Sequence, residues 1–218
     1  MRVKHKPWAI PMLEEHEDIV IGEPETYRGR WAEVFNNDQD LALEIGTGKG
    51  QFIVEMAKRQ PKTNFIGLDL QSDVLVMALK KILAEDEALP NLRLLWSNGQ
   101  DVDQFFAPQS IATIYLNFSD PWPKRRHAKR RLTHPRFLAV YQRILKPKGV
   151  LQFKTDNRSL FEYTLMTWAN AGLYFEDVQL DLHAEEASAQ EEVKTEYEEK
   201  FMAKGQPIYK LRAHFPEK

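Results

Sequence analysis

The chain has 218 residues, of which 43% are hydrophobic and 28% are charged. This composition fits a globular protein with a substantial core and excludes a disordered or collagen-like chain. The absence of cysteine excludes disulfides, thiolate catalysis and cysteine-based metal sites. No apolar run approaches the roughly 18 residues of a membrane span, and no apolar signal core follows the basic N-terminus. We therefore expect a cytoplasmic protein that does not enter a membrane.

The formal net charge is −2, but the charges are unevenly distributed along the chain. Residues 120–136 carry seven basic side chains and one acidic side chain, whereas residues 183–200 carry seven glutamates and two lysines. The glutamate stretch is typical of a solvated face. The basic stretch also contains Trp122 and His127, and cations beside aromatic rings are typical of a loop that faces nucleic acid.

Short apolar strands alternate with segments of helical periodicity along most of the chain. Five strands are predicted at 41–45, 64–70, 92–96, 111–117 and 150–154. Four helices are predicted at 49–59, from a cap at Ser72 to before Pro90, from Thr133 and Pro135 to a stop at 146–149, and from about Ser159 to Gly172.

Two late strands are predicted at 173–182 and 208–215, and no helical pattern of comparable quality separates them. We expect them to pair antiparallel at the end of the sheet. Together the elements predict an α/β three-layer sandwich, with a mostly parallel Rossmann-like sheet and an antiparallel C-terminal strand. We expect one domain over residues 1–218, in which residues 1–40 form an N-terminal extension.

The first predicted strand ends in a glycine-rich turn, Glu44-Ile-Gly46-Thr-Gly48-Lys-Gly50. Ligands of open parallel sheets bind outside the carboxyl ends of the strands, and glycines let the backbone approach a ligand closely. The turn departs from a dinucleotide fingerprint, because Gln51 stands where the third glycine is expected, and it is not a P-loop. A tight turn without a ligand is the alternative.

Acidic residues beside this turn narrow the class of ligand. A carboxylate at Glu44 would repel a pyrophosphate but suits an ammonium or sulfonium cation. Asp69 ends the second predicted strand. In Rossmann-like folds an acidic residue at that position binds the ribose hydroxyls, although Asp69 alone could cap a helix. Glu44, Gly46, Gly48 and Asp69 together predict an adenosine-containing cofactor without phosphate, and S-adenosylmethionine meets that description.

The fourth predicted strand runs into Asn117-Phe-Ser-Asp120-Pro-Trp-Pro-Lys124. The two prolines stiffen the turn and withhold backbone donors, so Asp120 is held at the mouth of the strand. A stiff loop without a ligand is again the alternative. The functional interpretation is favoured because Asp120 and Lys124 would lie beside the cofactor turn.

Five motifs in order along the chain carry a resemblance to a known family. They are Glu44-Ile-Gly-Thr-Gly-Lys-Gly50, Asn117-Phe-Ser-Asp-Pro-Trp-Pro-Lys124, Lys129-Arg-Arg-Leu-Thr133, Phe153-Lys-Thr-Asp156-Asn and Thr195-Glu-Tyr-Glu198. With these motifs the chain resembles the bacterial tRNA (guanine-N7-)-methyltransferases, which modify guanosine 46 in the variable loop of tRNA. The resemblance covers essentially the whole chain.

The resemblance implies a class I S-adenosylmethionine-dependent fold and a set of site residues. Implied cofactor contacts are Glu44, Asp69, Asn98 and Asp120. We expect Asp120 to be the catalytic residue, because it lies at the mouth of the fourth strand, between the expected sulfonium and the expected guanine. Implied tRNA contacts are Lys124, Asp156, Thr195, Glu196, Tyr197 and Glu198, with Arg126, Lys129, Arg130 and Arg131 lying on the RNA. Position 98 is commonly an aspartate in this family, so with Asn98 we expect adenine recognition to use the amide.

A mechanism follows from the chemistry of guanine. N7 carries a free lone pair, so its attack on a sulfonium methyl needs no general base, and positioning should dominate the rate. Carboxylates at Asp120 and Asp156 could accept from N1–H and the N2 amino group, which adenine does not present, and would oppose the positive charge that develops on the ring. The base must leave its stack to be reached.

Two alternatives from other classes stay open at this point. A nicotinamide-dependent oxidoreductase is disfavoured by Gln51 and by the lack of an obvious hydride-transfer histidine. A noncatalytic RNA-binding module would leave Glu44 and the glycine turn without a purpose. We expect tRNA as the partner, no metal and no membrane, and either a monomer or a homodimer.

Overall fold

The computed structural model describes residues 5–183, 193–198 and 205–216. Its centre is a seven-stranded sheet in the order β3-β2-β1-β4-β5-β7-β6. Strand β7 runs in the direction opposite to the other six strands and pairs antiparallel with both β5 and β6, whereas all other pairs are parallel. The strands are β1 (Asp40–Ile45), β2 (Thr63–Asp69), β3 (Leu92–Trp96), β4 (Ile111–Asn117), β5 (Leu145–Thr155), β6 (Tyr174–Gln179) and β7 (Tyr209–His214). The predicted mostly parallel sheet with an antiparallel C-terminal strand is confirmed.

Helices cover both faces of the sheet. They are α1 (Ala9–Glu15), α2 (Trp31–Phe35), α3 (Gln51–Arg59), α4 (Ser72–Leu83), α5 (Val102–Phe105), α6 (Pro135–Ile144) and α7 (Arg158–Asn170), with 3₁₀ helices at Pro24–Tyr27 and Arg125–Arg130. One apolar layer contains side chains of α2, α5, α6 and α7, and the other contains side chains of α1, α3 and α4. The three-layer prediction is therefore confirmed, and burial of both sheet faces explains why the parallel strands read as continuous apolar runs.

The predicted helix α4 is present, but Ser72 is not its cap. Gln71 is the N-cap, and no side chain caps the helix there. The backbone N–H of Gln71 donates instead to Asp69 Oδ1 at 2.9 Å. Ser72 is thus the first helical residue, because the strand-end carboxylate holds the turn that precedes the helix.

Helix α6 also begins one residue later than Thr133 suggests. His134 is the N-cap, and its Nδ1 accepts from the backbone N–H of Arg136 at 3.2 Å. Thr133 is buried, and its hydroxyl accepts at 2.9 Å from that of Thr164 in α7. Helix α6 ends at Ile144, just before the predicted stop at 146–149. Those residues already belong to β5, which begins at Leu145 and not at residue 150 as predicted.

Residues before β1 pack onto the sheet layers. Leu13 of α1 is buried in the layer that contains α4. Val20 forms an isolated parallel bridge with Leu94 of β3, and the indole N–H of Trp31 donates to the carbonyl oxygen of Phe105 at 3.0 Å. In the part of the chain that the structure describes, no helix is long and apolar enough to span a membrane.

Candidate functional site

The turn after β1 presents an open glycine cradle. Gly46 and Gly48 have φ values of +84° and +60°, and a Cβ added at either would meet nothing within 4 Å. The Gly46 N–H donates to the carbonyl oxygen of Leu68 at 2.7 Å, which fixes the turn against β2. Gly50 serves packing instead, because a Cβ there would lie 2.6 Å from the Cβ of Ala78 in α4. The open side of the turn is therefore at Gly46 and Gly48.

Glu44 is a buried carboxyl at the end of β1, and both of its oxygens are held. Oε2 accepts from the Thr47 hydroxyl at 2.6 Å, and Oε1 accepts from the Asn117 amide at 2.8 Å. Burial raises the pKa of Glu44 to about 7, although these two hydrogen bonds act in the opposite direction. The charge of Asp69 adds to the rise, and the charge of Lys154 opposes it.

Asp69 lies beside this carboxyl and closes the other side of the turn. Its Oδ2 accepts from the backbone N–H of Gly48, and its Oδ1 accepts from that of Gln71, each at 2.9 Å. Burial raises the pKa of Asp69 against these hydrogen bonds, and the charge of Asp120 adds to the rise. The ends of β1, β2 and β4 thus bring Asp69 within electrostatic reach of both Glu44 and Asp120.

This carboxyl cluster defines what the site can bind. The raised pKa values of Glu44 and Asp69 mean that their ionised forms are poorly compensated, so a cation beside the glycine cradle would stabilise them. Within residues 5–183, 193–198 and 205–216, no group of three or more histidine or acidic side chains is arranged to hold a metal ion. The open backbone of the turn and the two buried carboxyls beside it suit a cation that lies along the turn.

Asn98 follows β3 at the same edge of the sheet. Its Oδ1 accepts from the backbone N–H of Gln100 at 3.0 Å, which leaves the amide nitrogen as the donor. A Cβ at the next residue, Gly99, would lie 2.6 Å from Cγ2 of Ile45. Only glycine lets this loop approach the end of β1, and that approach places Asn98 near the cradle.

The loop after β4 is held by more than its prolines. Phe118 and Trp122 adopt φ values of +50° and +41°, a region that non-glycine residues rarely enter. Arg131 donates to the carbonyl oxygens of Pro121 and Trp122 at 3.0 and 3.1 Å, and its guanidinium lies 4.2 Å from the ring centre of Tyr163. Arg131 thus supports the loop that carries Asp120, and its contact with RNA stays a prediction.

The other cations of this region lie at the surface, next to an aromatic platform. Lys124, Arg126, Lys129 and Arg130 are exposed. The Trp122 ring lies between His127, whose ring centre is 5.9 Å away, and Arg130, whose guanidinium carbon is 4.9 Å from the ring centre. A cationic surface therefore begins directly beside Asp120.

Residues 193–198, which we call the strap, lie across the glycine turn. Glu196 forms ion pairs with Lys49 of the turn at 3.0 Å and with Lys81 of α4 at 2.5 Å. Partial burial would raise the pKa of Glu196, but the hydrogen bonds from the two lysines hold it below its usual range. Gln51 at the start of α3 donates to a strap carbonyl at 3.4 Å.

Glu198 is the buried end of the strap. Its Oε1 lies 2.8 Å from Nε2 of His183, and its Oε2 lies 3.6 Å from Nζ of Lys154 and accepts from the backbone N–H of Thr195. The Glu198 and Lys154 side chains are both 0% exposed. This placement turns Glu198 away from the surface, so its predicted contact with tRNA would need the strap to open.

Tyr197 is the exposed side chain of the strap. Its ring is 55% exposed and stacks on Phe118, with ring centres 6.4 Å apart and planes 18° apart. Asp156, half-buried, follows the end of β5 between Thr155 and Asn157, whose side chains fix the local backbone. Asp120 and Asp156 thus follow the neighbouring strands β4 and β5 at one edge of the sheet, and Tyr197 lies against Phe118, the first residue after β4.

The sequence interpretation missed three residues that organise this site: Asn117, Arg131 in its loop-supporting role, and Lys154. A charged residue inside the apolar run of β5 was the available signal for Lys154. No local signal marks Asn117, because its partner Glu44 is distant in sequence.

Known methyltransferases resemble this chain in sequence and in fold. The methyltransferase family model Methyltransf_4 matches residues 38–211. A protein of Limosilactobacillus fermentum named tRNA (guanine-N(7)-)-methyltransferase is 53% identical over 216 residues, which cover 99% of each chain.

Solved structures share the fold at low sequence identity. The 16S rRNA methyltransferase KamB aligns with a TM-score of 0.64 at 15% identity, over 86% of this chain and 94% of that chain. A mutant 16S rRNA (adenine(1408)-N(1))-methyltransferase from Catenulisporales acidiphilia, solved with cosubstrate SAM, aligns with a TM-score of 0.56 at 17% identity, over 87% and 91%. Because the chain is 53% identical to such a relative over 99% of both chains, it belongs to the family of bacterial tRNA (guanine-N(7)-)-methyltransferases.

Proposed function

We propose that this enzyme transfers the methyl group of S-adenosylmethionine to N7 of guanosine 46 in the variable loop of tRNA, giving 7-methylguanosine. The observation that carries the proposal is the pair of buried carboxyls, Glu44 and Asp69, beside an open glycine cradle, with Asp120 and a cationic surface next to them. A cationic cofactor and a polyanionic substrate would meet at that border. Family membership supports the same reaction.

The residues of the cradle fit S-adenosylmethionine. Gly46 and Gly48 leave space that a Cβ would fill, and Glu44 and Asp69 offer carboxylates to a sulfonium, an ammonium or ribose hydroxyls. Asn98 offers an amide donor to the adenine. When bound, the cofactor supplies an electrophilic methyl carbon on a sulfonium. The protein's contribution there is to bind and orient the group and to place negative charge beside it.

Positioning of the guanine is the chief catalytic task. Good alignment of reacting atoms can supply about 7–11 kcal/mol of rate acceleration, and N7 needs no general base. Asp120 and Asp156 would accept hydrogen bonds from N1–H and the N2 amino group, so adenine would be rejected. Asp120 would also stabilise positive charge on the methylated ring.

Binding of the tRNA divides between phosphates and the target base. Lys124, Arg126, Lys129 and Arg130 would contact phosphates, because they are exposed cations on one surface. The flipped base would stack on Tyr197, whose exposed ring is backed by Phe118; such stacking is worth about 1–3 kcal/mol per base. We place the enzyme in the cytoplasm with its tRNA substrate, and we propose one domain for the chain.

The test uses purified protein, S-adenosylmethionine and unmodified tRNA transcripts that carry either guanosine or adenosine at position 46. Nucleosides are released and identified by mass spectrometry against standards for 7-methylguanosine, 1-methylguanosine and N2-methylguanosine. We expect 7-methylguanosine with the guanosine transcript and no methylated product with the adenosine transcript. A different methylguanosine, or equal methylation of both transcripts, would overturn the proposal.

A further inference from the structure

Lys154 is a buried cation between the cofactor side and the strap. It lies on β5 directly beside Asn117 of β4 in the parallel register, and its side chain is 0% exposed. Its charge acts on Glu44, whose carboxyl accepts from that same Asn117. Its ammonium also donates to the carbonyl oxygen of Val193 at 3.3 Å and lies 3.6 Å from Glu198 Oε2.

A buried ammonium is stable only where charges and hydrogen bonds compensate for its lost hydration. Two of the groups that do so here belong to the strap, namely the Val193 carbonyl and the Glu198 carboxylate. Undocking the strap would leave Lys154 without both of these partners. The same buried charge therefore opposes any displacement of the strap from the sheet.

Glu198 transmits this attachment to the strap backbone. Its Oε2 accepts from the Thr195 N–H at 3.3 Å, and its own N–H donates to the Thr195 hydroxyl at 3.0 Å. These reciprocal bonds resemble those of a capping box. On the other oxygen, His183 fixes the direction of the carboxylate. The position of Glu198 thus determines the conformation of the segment that carries Tyr197.

We propose that Lys154 is a positioning residue that docks the strap through Glu198, so that Tyr197 is held on Phe118 at the place where the target base stacks. The proposal rests on the proposed function for the identity of the base. It assigns Glu198 to the interior of the enzyme, as the anchor of the strap, and leaves Tyr197 as the strap side chain that meets RNA.

Hydrogen–deuterium exchange of the free enzyme, read by mass spectrometry on peptides covering 193–198, tests the docking without any substrate. In Lys154→Met we expect exchange of the strap amides to accelerate about tenfold or more, because local opening becomes easier. The matched control is Lys81→Met. This change also removes a lysine that pairs with the strap, but its partner is Glu196, which is partly exposed. There we expect a change below about twofold, because partly exposed ion pairs contribute little.

Kinetics supply a second readout. For Lys154→Met we expect kcat for tRNA methylation to fall about tenfold, while calorimetry at pH 8.5, where Glu44 is largely ionised with or without Lys154, shows an affinity for S-adenosylmethionine close to that of the wild type. A general loss of folding would weaken both. In Lys154→Met/Glu198→Gln, which buries neither charge, we expect strap exchange between that of the wild type and that of Lys154→Met.

The proposal is overturned if the strap amides of Lys154→Met exchange at the wild-type rate. If Lys154→Met does not fold, the proposal is overturned when the strap amides of the double variant exchange at the wild-type rate. Faster exchange with unchanged kcat overturns the positioning role. Failure of the proposed function gives a different result. If the wild-type enzyme makes no 7-methylguanosine but Lys154→Met still accelerates strap exchange, the docking role of Lys154 stands and only the assignment of guanine as the stacked base is overturned.

Discussion

The side-chain amide of Asn117 donates a 2.8 Å hydrogen bond to the Glu44 carboxylate, which joins the end of β4 to the end of β1. Strands β2 and β3 are added on one side of β1, and β4 and β5 are added on its other side, so the strand order reverses between β1 and β4. Ligands of open α/β sheets bind at such a switch point. Asp120 follows Asn117 by three residues. The proposed cofactor carboxylate and the proposed catalytic loop therefore share one buried bond.

Cofactor affinity should depend on the ionisation of Glu44. Because burial raises the pKa of Glu44 to about 7, about a tenth of this carboxyl is ionised at one pH unit below that value. A cationic cofactor favours the ionised form, so its affinity should rise between pH 6 and pH 7.5. Glu44→Gln should weaken binding about tenfold at pH 7.5, or ~1.4 kcal/mol, and should reduce the pH dependence.

Isothermal titration calorimetry of both proteins across this pH range makes the comparison. Titration of the cofactor's own amino group is common to both, so the difference between the two curves isolates Glu44. Identical affinities and identical pH profiles would show that Glu44 does not contact the cofactor.

Stability without cofactor should show the opposite pH dependence. The folded pKa of Glu44 is about 7 against an ordinary value of 4.5, so between these values the folded state binds more protons than the unfolded state. Its contribution is fully present below pH 4.5 and is lost as pH rises through 7. Glu44→Gln should gain stability relative to the wild type over this window, by about 3 kcal/mol at most.

Urea unfolding at pH 5 and pH 7.5 measures this difference. Gln preserves the volume, and its amide can bond Thr47 and Asn117 because the Thr47 hydroxyl can reverse its direction. A stability difference between the two proteins that stays constant with pH would mean that Glu44 is not buried as an ionisable group in the free enzyme.

Much of the glycine turn and of the carboxyls beside it could be predicted from the sequence, because their signals are local. The turn from Gly46 to Gly50 is contiguous, and Glu44 and Asp69 each end an apolar run. Parallel strands bring such ends to one edge of a sheet without further information. Ser72 shows the limit of local signals. Its residue type suits an N-cap, yet the N-cap is Gln71, whose N–H donates to the Asp69 side chain, and no side chain caps the helix.

The strap side could not be predicted because its contacts are long-range. Lys154 and Glu198 are 44 residues apart in sequence, and although a charge inside the apolar run of β5 marks Lys154, no pattern indicates that Glu198 is buried beside it. The glutamate-rich stretch was interpreted as a solvated face, and Glu198 departs from that interpretation because Lys154 and His183 compensate for its charge. Arg131 is similar: in sequence it belongs to a basic run, whereas in the fold two carbonyls and the Tyr163 ring hold it.

The surface cations and Arg131 should therefore differ in a salt titration. Alanine at Arg126, Lys129 and Arg130 should flatten the slope of log affinity for tRNA against log salt concentration by ~0.7–0.9 for each lost phosphate contact. Arg131→Ala should change that slope less than the triple variant does, but it should lower kcat, because the loop carrying Asp120 loses its support. Filter binding from low to moderate salt gives the slopes. A wild-type slope in the triple variant would rule out this surface as the tRNA contact.

Asp120→Asn should separate chemistry from binding. The change preserves volume and one acceptor oxygen while it removes the charge that would stabilise the methylated ring. We expect kcat to fall about 100-fold, with tRNA affinity and melting temperature near those of the wild type. Asp156→Asn serves as the comparison at the neighbouring strand end. If Asp120→Asn methylates at the wild-type rate, or fails only because it unfolds, then Asp120 is a structural residue and Asp156 becomes the candidate.

The central claim concerns one atom of one nucleotide, and it is tested most directly by nucleoside analysis of bulk tRNA from a strain that lacks this gene. The account predicts that 7-methylguanosine disappears from position 46 in the deletion strain, returns when the wild-type gene is restored, and stays low when the Asp120→Asn gene is supplied instead. Other methylated guanosines should be unchanged. An undiminished level of 7-methylguanosine at position 46 in the deletion strain would contradict the account.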